Sequence, residues 1–241
     1  MKNKLTLLFF ISLLFCASLN AQKGNKQNDT IPKIEKYGIR VGIDIAKPIR
    51  TLIENGYSGF EISGDFRVTK RFYAAVELGN EKKDWIEPYV SAKTSGSYAK
   101  IGFDFNAYEN WLGMTNSINL GLRYGFSSFN QELLSYKIYT NNPAFPSQVI
   151  TNPQEFGGLT AHWAEFILSV KTEVAKNLYL SINAQLKRKI TEDQPENFDN
   201  LYIPGFHRTY DYSKFGVGYG YSISYMIPIF KKATYPKSEE E

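Results

Sequence analysis

FGVGYGYSISYMI, residues 215–227, decides the architecture. Phe215, Val217, Tyr219, Tyr221, Ile223, Tyr225 and Ile227 occupy every second position, with Gly216, Gly218, Gly220, Ser222 and Ser224 between them. A period of two sends successive side chains to opposite faces of an extended strand. One face is therefore apolar and aromatic, and the other is almost bare. A bare face solubilises an exterior poorly, but inside a narrow ring of strands it leaves room for large side chains from neighbours. The apolar face is expected to point outward.

Working back along the chain, the same alternation recurs seven times. Leu178, Leu180, Ile182, Ala184 and Leu186 oppose Ser181, Asn183, Gln185 and Lys187; Phe166, Leu168 and Val170 oppose Glu165, Ser169 and Lys171, with Ile167 as an exception. Ile118, Leu120, Leu122, Tyr124 and Phe126 oppose Asn119, Gly121, Arg123 and Gly125; Ala99, Ile101, Phe103 and Phe105 oppose Lys100, Gly102, Asp104 and Asn106. Phe72, Ala74, Val76 and Leu78 oppose Tyr73, Ala75 and Glu77; Phe60, Ile62, Phe66 and Val68 oppose Glu61, Ser63, Asp65 and Arg67. The first run sets Tyr37, Ile39, Val41, Ile43 and Ile45 against Gly38, Arg40, Gly42, Asp44 and Ala46, and Pro48 ends it. The links after the first, third, fifth and seventh runs span about 10, 18, 36 and 25 residues, those after the second and sixth only a few, and the one around 109–113 is intermediate.

Long links on one side and short ones on the other, with an even strand count, predict an all-β fold. The expected form is a closed antiparallel eight-stranded transmembrane β-barrel with four long outer loops and three shorter periplasmic turns, over residues 37–230. Hydrocarbon offers backbone groups no partners, so such a sheet must close on itself. Aromatics recur near the ends of the apolar faces, as Tyr37, Phe72, Tyr124, Phe126 and Phe215, where a membrane boundary favours them. Gly220, Ile223 and Tyr225 fit the Gly-x-x-apolar-x-aromatic pattern of a C-terminal assembly signal, which implicates the barrel assembly machinery as a partner.

Residues 1–21 have the parts of a secretory signal: Lys2 and Lys4, an apolar run from Leu5 to Leu19, and Ala21 before the expected cut. The run is about 15 residues, short of the roughly 20 a spanning helix needs. Cys16 invites a lipoprotein reading, but Phe15 is bulky where such signals want a small residue. The only cysteine leaves with the signal, so no disulfide or thiolate site is expected in the mature chain. Residues 22–36 read as a flexible periplasmic lead-in and 231–241 as a periplasmic tail. Subtracting the two signal lysines leaves 26 basic against 24 acidic side chains, which gives no electrostatic case for nucleic acid. Mean hydropathy is −0.34, and no further stretch approaches 18 consecutive apolar residues.

The inward faces carry Arg40, Arg67, Lys100, Arg123, Lys171 and Lys187 against Asp44, Glu61, Asp65, Glu77, Asp104 and Glu165. Equal numbers of each sign predict a salt-bridge network that closes the bore. A channel lining would carry an excess of one sign. His162 and His207, with hydroxyls such as Ser169 and Ser213, are weak catalytic candidates for a rim enzyme acting on lipid acyl chains. No nucleophile elbow, metal-ligand pair or Gly-rich phosphate loop is present, so no metal or cofactor is expected. Residues 202–206 (YIPGF) and 143–146 (PAFP) mark ordered turns, expected to fold back over the mouth.

YGIRVGIDIAKPIR from Tyr37, ENWLGM from Glu109, LGLRYGFSSF from Leu120, GLTAHWAE from Gly158, NLYIPGFHRTYD from Asn200 and VGYGYSISYMIPIF from Val217 run nearly the length of the mature chain. By these segments it resembles a family of small outer-membrane β-barrel proteins of unknown function from the Bacteroidetes. The resemblance implies a place in the cell outer membrane; the outer loops are expected to contact the envelope exterior or an unidentified ligand, with outer-membrane lipids around the ring. It supplies no catalytic residue.

Overall fold

The computed structural model describes residues 33–108, 116–140, 144 and 147–234. The expected signal, the lead-in before residue 33, the link at 109–115, most of the 143–146 turn and the tail after residue 234 lie outside the described residues. Nearly all of the described residues fall in one compact unit, Ile34–Lys232.

Among the described residues the fold is all-β apart from one short helix. The strands are β1 (Lys33–Asp44), β2 (Tyr57–Arg67), β3 (Phe72–Ile86), β4 (Val90–Asn106), β5 (Ser117–Lys137), β6 (Val149–Ile150), β7 (Gln154–Ala175), β8 (Leu178–Glu192), β9 (Tyr202–Ile203), β10 (His207–Arg208) and β11 (Phe215–Thr234), and the helix is α1 (Ala46–Ile53). Nine strands form one antiparallel sheet in the order β4-β3-β2-β1-β11-β8-β7-β5-β6, and β4 also pairs with β5, so the strands ring round. β9 and β10 form a separate hairpin. The ring has one end with short connections, at 68–71 and 176–177, and another that carries α1 and the hairpin, called here the plugged end.

Burial is inverted relative to a water-soluble protein. Along β5, Ile118, Leu120, Leu122, Tyr124 and Phe126 are exposed, Leu122 by 48%, while Asn119 and Arg123 are buried. Val217 is 75% exposed and Ile101 65%, whereas Lys100, Glu165 and Lys187 are each 1% exposed. The alternation thus turns apolar side chains away from the ring and charges into it, as period-two patterning requires once the apolar face points out.

Several expected boundaries move. The expected link 79–98 is strand up to Ile86 and again from Val90, closed by Glu87 N–H donating to Val90 O at 2.9 Å. Most of the expected loop 127–162 is the continuation of β5 and β7, and β8 runs on to Glu192. In these extensions both faces carry polar residues, so the contrast that reveals a strand disappears while the backbone ladder continues. Lys33–Lys36 belongs to β1 rather than to a lead-in, and β11 continues past residue 230 to Thr234. Ala46 starts α1 instead of ending β1. Asp44 Oδ1 accepts the Ala46 N–H at 2.7 Å, and Pro48 sits in the first helical turn, where its missing N–H costs nothing. Tyr37, expected in an exposed girdle, is buried beneath Phe230, stacked at 5.1 Å, and Arg67, at 4.6 Å.

Small residues on the inward faces are matched to large neighbours. A Cβ at Gly125 would fall 2.1 Å from the ring of Trp163, which is fully buried. Gly125→Val is expected to lower stability by about 1–3 kcal/mol through overpacking, read as a lower urea midpoint of unfolding in detergent micelles.

Candidate functional site in the ring interior and its plugged end

Ten of the expected charges join in one chain that alternates in sign. Arg40 donates to Asp65 at 2.7 Å; Lys171 lies 2.8 Å from Asp65 and 3.7 Å from Asp104; Arg123 meets Asp104 at 2.8 Å and Glu77 at 3.1 Å. Lys100 continues the chain to Glu77 at 2.6 Å, Glu61 at 3.4 Å and Glu165 at 3.7 Å, and Glu165 lies 4.0 Å from Lys187. Desolvated charges are tolerated only when paired, and each member here touches an opposite charge. Asp44 and Arg67 make other contacts. Asp44 holds the turn into α1, and Arg67, the last residue of β2, donates to the carbonyls of Lys36, Thr69 and Lys70 at the short-connection end. The space left beside the network is a cavity of about 60 Å³ bordered by Asp44, Ser63, Asp104 and Ser169. That is room for a few waters.

Two residues absent from the expected set extend the network to the plugged end. Lys47, from α1, reaches Glu81 in a short contact and lies 3.8 Å from Glu61. Glu81, fully buried on β3, also accepts from Tyr57 OH at 3.0 Å, Tyr202 OH at 2.8 Å and Gly205 N–H at 2.9 Å. Burial disfavours the Lys47 ammonium, but Glu81 and Glu61 outweigh it and raise its pKa. Glu81 fell in a segment that alternation did not mark as strand, and Lys47 in one that read as loop. The Asp44, Pro48 helix-start signature was the available clue to α1.

The β9–β10 hairpin is the plug. Ile203 and Phe206 are almost fully buried with Tyr98, Phe129, Leu159 and Trp163 in the apolar core of the ring. Gly205 turns the hairpin at φ +80°, where a Cβ would also fall 2.6 Å from the Tyr98 ring, so glycine is required twice over. Lys187 Nζ donates to Gly205 O at 2.7 Å, joining the plug to the charge network. The expectation that residues 202–206 fold back over the mouth holds for these side chains.

The structure does not bring His162 and His207 together. His162 lies on the outward face of β7, its Nδ1 2.8 Å from Tyr124 OH and its ring 4.9 Å from that of Phe126. His207, expected at a solvent-facing rim, is stacked on Tyr202 inside the plug, 3.6 Å from Glu81. Ser169 is buried near Asn119, and Ser213 accepts the Phe215 N–H. Neither serine is placed against a histidine as nucleophile and base require. No cluster of three or more metal-ligating side chains occurs among the described residues.

A family model described as Domain of unknown function (DUF6048) matches residues 1–232. The chain belongs to the DUF6048 family. No curated protein matches it. The interior of this DUF6048 member is thus understood from its own chemistry: paired charges, a seated hairpin and a cleft of about 930 Å³ beside it, between α1 and β11.

Two outcomes follow. Glu81→Ala leaves Lys47 buried without its nearer carboxylate, with only Glu61 at 3.8 Å, and is expected to cost about 3 kcal/mol, with faster proteolysis within residues 202–208. Burial, then the nearby Lys187, depress the His207 pKa from 6.5 to about 3, against the pull of Glu81. The seated hairpin holds His207 neutral, so its stability is full above pH 6.5 and declines as pH falls toward 3. Trp163 emission, sensitive to Phe206 at 6.0 Å, should shift to the red across that window, and His207→Gln should flatten the shift.

Proposed function

We propose that this chain is a closed eight-stranded transmembrane β-barrel of the Gram-negative outer membrane, exported by its N-terminal signal, without a catalytic centre, acting through what its plugged end presents outside the cell. The observation that carries the reading is the inverted burial: a belt of exposed Ile, Leu, Val, Phe and Tyr around paired buried charges. No described helix is long and apolar enough to cross a membrane, which leaves strands as the spanning element.

Register supports closure. Paired neighbours lead from Val217 to Leu186, Phe166, Leu122, Phe103, Ala74, Phe66 and Ile39. Gly38 next to Ile39 packs against Ile227 and Pro228 of β11, so one circuit returns about ten residues further along the starting strand. An offset of that size suits a small barrel of tilted strands. The Gly220–Ile223–Tyr225 pattern lies within β11, on which Tyr225 is exposed to the bilayer and Gly220 leaves room for Asn183 and Asp44. Outer-membrane lipids and the assembly machinery are the partners this reading requires.

The continuous charge chain and the small cavity beside it favour a closed lumen over a channel. Folded protein in detergent should migrate faster in gel electrophoresis unboiled than boiled, and planar bilayers should stay silent over many insertions. A heat-insensitive soluble product would exclude the barrel, and reproducible conductance steps would exclude the closed lumen.

A further inference from the structure

β1 stops before the wall is complete. The last hydrogen bond between its end and β11 runs from Ile45 N–H to Tyr221 O at 2.7 Å, after which the chain coils into α1. Among the described residues, therefore, no strand stands beside Phe215–Gly220 on that side, although β8 pairs with this stretch on the other. In an antiparallel ladder every second residue of that edge turns its N–H and C=O toward the missing neighbour. The helix that fills the place continues the inside-out pattern: Lys47 faces in, while Ile49, Leu52 and Ile53 are 51%, 86% and 79% exposed. The cleft lies at this break. Its lining includes Val217 and Tyr219, which also belong to the exposed apolar belt, together with Trp85 and the hairpin residues Tyr202 and Arg208.

We propose that the break is a lateral port through which one acyl chain of a zwitterionic bilayer phospholipid enters the cleft. This rests on the membrane-barrel reading. Continuity carries the acyl part, because the cleft's lip and the lipid-facing belt share Val217 and Tyr219, so a chain passes inside without crossing water. Where β1 gives way to α1, the ladder of β11 offers backbone donors and acceptors that hydrocarbon cannot satisfy and a phospholipid headgroup can. Charge at the lips is balanced. Arg50 and Lys83 share Glu54, Arg208 lies over Trp85 at 4.9 Å, and Asp84 and Glu87 border the same space. A headgroup with a phosphate for the guanidinium and an ammonium for the carboxylates complements such a rim better than a purely anionic one.

Trp85 shares the inward face of β3 with Glu81 and Lys83 and reports on the cleft. In a Trp111→Phe, Trp163→Phe background reconstituted into vesicles, phosphatidylethanolamine brominated on its acyl chain should quench at least half of the Trp85 emission. Phosphatidylglycerol brominated alike should quench less than half as much. A reference variant that adds Leu122→Trp and Trp85→Phe to that background places its indole on the outward belt. If that variant is quenched and Trp85 is not, the port is overturned while the membrane reading stands. If neither is quenched, the membrane reading falls and the port with it. Equal quenching by both lipids overturns the zwitterionic occupant. Should the background fold poorly, native mass spectrometry of the unaltered protein released from phosphatidylethanolamine vesicles should retain one lipid. Ala46→Trp, which fills the cleft from α1, should lose it, and retention by that variant would overturn the port.

Discussion

Lys100 is 1% exposed, and its ammonium has carboxylates on three sides, from Glu77, Glu61 and Glu165. A charge withdrawn from water is held at a cost of several kcal/mol unless opposite charge and hydrogen bonds replace the solvent. Each carboxylate that faces Lys100 comes from a different strand, and each lies in turn beside a further cation: Arg123 for Glu77, Lys47 for Glu61 and Lys187 for Glu165. The demand for pairing thus spreads from β4 through β2, β3, β5 and β7, and it fixes which inward residues stand at the same height. The outward apolar side chains are exposed and specify register weakly, since many of their positions are interchangeable. The charges inside specify it sharply.

The same constraint governs the plug. A hairpin carrying Ile203 and Phe206 could pack on many apolar surfaces, but Gly205 offers its N–H to Glu81 and its carbonyl to Lys187. Those bonds connect the apolar core near Trp163 with the ionic chain below. The helix is tied to the same carboxylate through Lys47, so both plugging elements depend on Glu81. Only one of them, the hairpin, carries a group that gains charge near neutral pH when released.

Much of this was legible in the sequence where the two faces of a strand differ. Residues 118–126 alternate without a break, and β5 covers them with the expected side chains outward. The rest of β5 was not legible, because Ser127, Ser128, Asn130, Gln131 and Glu132 put polar groups on both faces and erase the contrast. The ionic network was visible as a balance of signs, and parity placed most of its members correctly. Parity says which face a residue takes and nothing of its height, so it did not tell that Arg67, at the end of β2, would meet the carbonyls of Lys36, Thr69 and Lys70. Glu81 and Lys47 were hidden for a related reason. Their importance comes from a contact between residues 34 positions apart, one on a strand read as loop and the other on an unforeseen helix. The fate of residues 202–206 was readable from composition, since apolar side chains in a polar link seek cover, but the acceptor waiting for them was not.

The hairpin also bears on the order of assembly. It lies in the link that immediately precedes β11, and β11 is the strand that meets β1 across the whole length of the chain. Joining segments so distant in sequence carries the greatest loop-closure entropy and belongs late in folding. The segment that fills the bore is therefore tethered to the segment that seals it, and sealing and filling are coupled events. A ring that closed first would have to admit Phe206 through a mouth already narrowed by α1. Placing the stopper on the closing thread removes that kinetic obstacle.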